Sequence, residues 1–104
     1  MKRAGFAMQL KPGNAREYKR RHDEIWPELV AQLESAGVRD YAIYLDPRTD
    51  TLYASWKLTE HNNAGALAEK EVVRRWWKHM ADIMETNEDD SPVVRELSEM
   101  FYMD

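Results

Sequence analysis

The chain has no cysteine. This excludes a disulfide framework and a thiol nucleophile, and it fits a reducing compartment. Long apolar runs are missing too. The N-terminal stretch MKRAGFAMQL begins basic, but Gln9 interrupts it and KPGN follows. Neither a signal peptide nor a membrane span is read there, so a cytoplasmic protein without a membrane partner is expected. No single sign of charge dominates. The net charge is -4 with acids and bases interspersed, which argues against nucleic acid as the default partner. Glycine and proline are scarce, four of each, and none forms a Gly-rich phosphate loop. His61 and His79 lack metal-ligand spacing such as H-E-x-x-H, so no metal is expected. Ser35, Ser55, Ser91 and Ser98 are not set in a nucleophile elbow. NEDDSP is acidic, but its spacing is not that of a calcium loop, and it reads as a solvated turn.

What is present is enough for one domain, residues 1–104, with 43% hydrophobic residues to form a packed core. Four Trp and five Tyr are many for this length. They point to an aromatic-lined pocket, a large interface, or both.

Along the chain, Ala4, Phe6, Met8 and Leu10 alternate with Arg3, Gly5, Ala7 and Gln9, which predicts a strand ended by PGN. Asn14 is placed to cap a helix. From Ala15 the period turns helical, and at about 100° per residue Ala15, Tyr18, His22, Ile25, Trp26 and Leu29 share one arc. Arg16, Glu17, Arg20, Asp23 and Glu24 point away. Pro27 predicts a break near Trp26 and the first turn of a second helix, closed by Gly37. VRDYAIYLD and TLYASWKLT predict strands joined by the turn PRTD. AGALAEKEVVRRWWKHMADIME reads as one helix, with Val72, Val73, Trp76, Met80, Ile83 and Met84 on its apolar face and Trp77 at the edge. Leu97, Glu99, Phe101 and Met103 alternate, which predicts a last strand over 98–103. The order β-α-β-β-α-β is the ferredoxin-like plan, an α+β fold.

In the second strand Tyr41, Ile43 and Leu45 fall on one side and Ala42 and Tyr44 on the other. Two helices can cover only one face of the sheet. A homodimer packed sheet to sheet is therefore expected.

Three groups could carry chemistry. His22 lies on the inward arc, four residues after Tyr18, and titrates near neutrality. It reads either as a core histidine or as an acid–base group. Trp76 and Trp77 project about 100° apart, so one packs and the other borders a pocket or an edge. Tryptophan faces stack on the C–H surfaces of sugars, though both residues could equally be core or dimer contacts. Tyr41 and Tyr44 point to opposite faces, and their hydroxyls suit a polyol as well as an ordinary strand role.

FAMQL, EYKRRHDEIWPEL, DYAIYLD, RWWKHMADIM, DDSPV and EMFYM, in this order and spacing, resemble the L-rhamnose mutarotase family over nearly the whole chain. The resemblance implies a dimeric α+β barrel, with antiparallel sheets packed face to face. It implies interconversion of the α and β anomers of L-rhamnopyranose, without a cofactor. It implies that His22 is the proton donor and that Tyr18, Tyr41, Trp76 and Trp77 bind the sugar. Two other functions remain open from the residues: a cofactor-free dimeric α+β-barrel monooxygenase acting on an aromatic substrate, and a non-catalytic sugar-binding or assembly module.

Overall fold

The computed structural model describes residues 1–104. The alternating first segment forms β1 (Lys2–Gln9). The helical period that follows gives α1 (Ala15–Asp23) and α2 (Pro27–Ser35). The break between them follows from Pro27. The residue before a proline is driven out of the helical region, and Trp26 is extended, with φ -67° and ψ 126°. Pro27, which has no N–H to lose, then opens α2. Asn14 sits at the start of α1 but does not cap it with its side chain, contrary to expectation. Its amide donates backward instead, to the Lys11 and Pro12 carbonyls at 3.1 Å each.

Gly37 ends α2 at φ +93°. A Cβ there would run into Thr59 Oγ1 and Asn62. The close approach is useful, because the Gly37 carbonyl accepts from the Thr59 amide at 2.9 Å and the Ala36 carbonyl from the Asn63 amide at 2.7 Å. The hairpin β2 (Val38–Asp46) and β3 (Thr51–Leu58) turns through residues 47–50 as expected.

The long helix expected over residues 64–85 is shorter and interrupted. A 3₁₀ segment (Ala64–Glu69) precedes α3 (Glu71–Met80), Lys70 between them is extended, and a second 3₁₀ turn (Ala81–Ile83) follows. Within the first segment only Leu67 is buried, so no apolar stripe holds it against the sheet as a regular helix. The last strand also differs from expectation. β4 is Arg95–Leu97, three residues paired to β1 at Ala7, Phe6 and Gly5, and residues 98–103 form no strand.

The sheet is four-stranded and antiparallel, in the order β2-β3-β1-β4. The architecture is an α+β fold. Cross-strand pairs place Met8, Leu52 and Leu45 in one row and Phe6, Ala54 and Ile43 in the next. These residues pack with the helices. Tyr18, Leu29, Val72, Val73, Trp76 and Met80 supply the helical side of the same core.

The opposite face is not covered by any element of the chain. Tyr44 pairs with Tyr53 there and is 68% exposed. The C-terminal tail lies toward that face, where Arg3 forms two 3.1 Å bonds with Glu99 and sets its guanidinium 3.4 Å from the centre of the Tyr102 ring. Phe101 beside it is 81% exposed. No helix is long and apolar enough to cross a membrane.

Candidate active site

His22 stands in the last turn of α1, where helical spacing brings it over Tyr18. Its ring stacks on the Tyr18 ring at 4.3 Å and meets the Trp76 ring edge-on at 5.3 Å. Its Nδ1 is 3.1 Å from the Tyr18 carbonyl oxygen. A carbonyl only accepts, so Nδ1 carries the hydrogen and the lone pair of the neutral ring is on Nε2. Nε2 has no protein partner, and no buried polar side-chain atom in the chain is left unpaired. Nε2 is therefore open to accessible space.

That space is a cavity of about 710 Å³ between the helices and the sheet, within the range usual for small-molecule sites. Its lining is mainly hydrophobic, and it includes His22, Tyr18, Tyr41, Trp76 and Trp77. A smaller recess of about 90 Å³ shares all five and adds Thr86 and Asp90. Trp76 is buried and packs edge-on against Trp26 at 5.1 Å, while Trp77 is half-buried on the cavity wall. This is the division of roles expected of adjacent helical residues.

Tyr41 reaches the cavity because β2 contains a bulge. Arg39 pairs with Lys57 and Ala42 with Ser55, so Asp40 and Tyr41 together oppose Trp56. Asp40 takes φ +48°. The extra residue reverses the alternation and turns Tyr41 toward the helices, 5.1 Å from Trp56 and 6.3 Å from Phe6. Tyr44, 68% exposed, borders the larger cavity but not the smaller recess beside His22.

Burial lowers the His22 pKa, opposed by the Tyr18 carbonyl and by the charge of Asp23. Burial raises the phenol of Tyr18 and pushes that of Tyr41 up to about 12. Both phenols thus keep their protons at neutral pH and act as hydrogen-bonding groups rather than bases. No three His, Asp or Glu side chains come together as a metal site.

Arg21 is a component that sequence reasoning did not single out. Its side chain is only 12% exposed. It bonds Glu17 at 2.7 Å, the Asp82 carboxylate at 2.8 and 3.2 Å, and the His79 carbonyl at 2.7 Å. It thereby ties α1 to the end of α3, fixing His22 against Trp76. The spacing of Glu17 and Arg21 was a readable signal for half of this link. Asp82, 61 residues away, was not.

Comparison with known proteins shows what the chain is similar to. A family model described as L-rhamnose mutarotase matches residues 3–103. An L-rhamnose mutarotase of Brucella anthropi is 52% identical over 101 residues, covering 97% of this chain and 95% of that protein. One from Bacteroides thetaiotaomicron is 50% identical over the full length of both. The crystal structure of an L-rhamnose mutarotase from Formosa agariphila superposes with a TM-score of 0.93 at 45% identity, covering 100% of both chains.

Proposed function

The chain belongs to the L-rhamnose mutarotase family, and on that premise we propose that it interconverts the α and β anomers of L-rhamnopyranose with His22 as proton donor. It is an isomerase acting on a carbohydrate. The observation that carries the residue assignment is the pairing of His22 Nδ1 with the Tyr18 carbonyl, which leaves Nε2 as the reacting nitrogen in an aromatic cavity.

Mutarotation opens a hemiacetal and recloses it on the other face of the carbonyl. As C1–O5 breaks, protonated Nε2 gives its proton to O5. The anomeric hydroxyl loses its proton to an acceptor in the cavity, and its electrons form C1=O1. Rotation of the aldehyde and the reverse transfers complete the cycle with no net change. Burial makes the imidazolium a stronger acid, which favours donation, at the cost of a smaller protonated fraction at neutral pH. Such a positioned acid supplies roughly 10²–10⁴-fold. Tyr18, Tyr41, Trp76 and Trp77 hold the sugar, the tryptophans by its C–H faces and the tyrosines by hydroxyl contacts. The apolar wall suits the methyl group of a 6-deoxy sugar.

The open sheet face supports the assembly read from the sequence. With Tyr44, Tyr53 and Leu97 exposed upon it, a second copy packed sheet to sheet completes a dimeric α+β barrel of two ferredoxin-like halves.

Saturation-transfer NMR of the two rhamnose anomers tests the function. Wild type accelerates the exchange, and His22→Ala lowers it by about 10² or more. Unchanged exchange in the variant would remove His22 from the mechanism.

A further inference from the structure

The loop after α3 carries a carboxylate that the reaction described above does not use. Asp90 is half-buried and borders the smaller recess beside His22, Tyr18 and Tyr41. Two other carboxylates near the loop or the cavity are already engaged. Asp89 accepts hydrogen bonds from the Ser91 amide and hydroxyl. Asp23, at the mouth of the larger cavity, is paired with Lys19 at 2.7 Å. The Asp90 carboxylate has no hydrogen-bond or ion-pair partner in the protein, yet neither oxygen is a sealed, unsatisfied atom. It is open to accessible space, where water or a ligand hydroxyl can donate to it.

The backbone holds this carboxylate in place. Asp90 takes φ +69°, a left-handed conformation that aspartate tolerates better than most residues. Its amide donates to the Asn87 carbonyl at 3.1 Å, and the Asn87 amide donates to Ser91 at 2.7 Å. The Asn87 side chain holds Ser91 Oγ at 3.0 Å, and Thr86 bridges Pro92 below the turn. The loop is therefore a closed, cross-braced turn rather than a free segment.

We propose that the Asp90 carboxylate is a substrate-binding group that accepts hydrogen bonds from hydroxyls of the sugar held against His22. The inference rests on the sugar reading above. It adds a charged acceptor to a recess whose other polar side chains, Tyr18, His22, Tyr41 and Thr86, are neutral at neutral pH. A carboxylate receives two vicinal hydroxyls more strongly than a neutral oxygen does, which makes a polyhydroxylated ring, and not an aromatic one, the class of ligand it selects.

The test is anomer exchange measured against L-rhamnose concentration for wild type, Asp90→Gly and Asp90→Asn. Glycine removes the carboxylate while accepting the left-handed backbone. Asparagine keeps an acceptor oxygen without the charge. Asp90→Gly raises the half-saturating rhamnose concentration about tenfold or more. Asp90→Asn gives a smaller rise, and in both the loss falls on half-saturation more than on the maximal rate. A half-saturating concentration for Asp90→Gly within about twofold of wild type, well short of the tenfold expected of a lost charge-assisted bond, would overturn the assignment. So would a fall in maximal rate at unchanged half-saturation, which would make Asp90 a proton-transfer group instead. Wild type that fails to accelerate exchange sinks the sugar reading itself, a result distinct from either.

Discussion

At His22, burial works against the charged ring while the Tyr18 carbonyl works for it, and burial is the larger effect. Its folded pKa lies below the ordinary 6.5, so between those two values the unfolded chain binds more protons than the folded one. The stability associated with the neutral ring is complete above 6.5 and is lost as the pH falls through that window. Urea midpoints measured on both sides of pH 6.5 show it as a drop on the acid side that His22→Gln lacks. At this scale the sequence was most legible. Helical spacing alone set Tyr18, His22 and Trp26 on the inward arc, because a period of about 3.6 residues leaves little choice of face. Asp90 was not legible. Its approach to His22 depends on a left-handed turn and on a chain path that no local pattern encodes, and NEDDSP therefore reads as a solvated loop.

Among the elements, α1 and α3 are held together by Arg21, and the clamp is charge-assisted at nearly every contact. Arg20 and Arg21 hold Glu17 down to about 2, and Arg21 depresses Asp82. Both carboxylates favour the folded state once ionised, so this contribution is lost as the pH falls through their depressed values. Arg21→Ala removes the link and destabilises by about 2 kcal/mol in thermal or urea unfolding. It also slows anomer exchange, because His22 is no longer fixed against Trp76. Arg21→Lys restores a single contact only, since a point charge cannot reproduce the forked geometry. Gly37 is a second joint. Replacing it by alanine forces a side chain into Thr59 and Asn62 on a left-handed backbone, a loss of at least about 1–2 kcal/mol from the backbone alone, readable as a lower urea midpoint. The elements were legible where two signals agreed, as at Trp26-Pro27, where a proline met the end of an apolar arc. They were not where one signal stood alone. The alternation of Leu97, Glu99, Phe101 and Met103 resembles a strand, but β1 offers its edge only to Arg95–Leu97. The tail beyond turns instead to Arg3.

On the scale of the whole molecule, the sheet has one face closed by helices and one face with apolar residues open to solvent. Analytical ultracentrifugation is expected to find a dimer, and Tyr44→Asp, which puts a charge on the open face at the edge strand β2, shifts it toward monomer. A wild-type monomer at all concentrations would reject sheet-to-sheet packing. Neighbouring residues of β2 thus face different ways, with Tyr41 at the cavity and Ala42 and Tyr44 of the opposite parity, Tyr44 exposed on the open face. The bulge at Asp40 sets which residue goes where by adding one position to the strand. The consequence concerns length rather than composition. Deleting Asp40 would close the bulge and leave Tyr41 alone opposite Trp56, with both flanks of β2 still in register with β3. A one-residue deletion is therefore absorbed at the bulge, while a slip of one residue in the regular pairing of Ala42 to Asp46 with β3 would turn each side chain there to the opposite face.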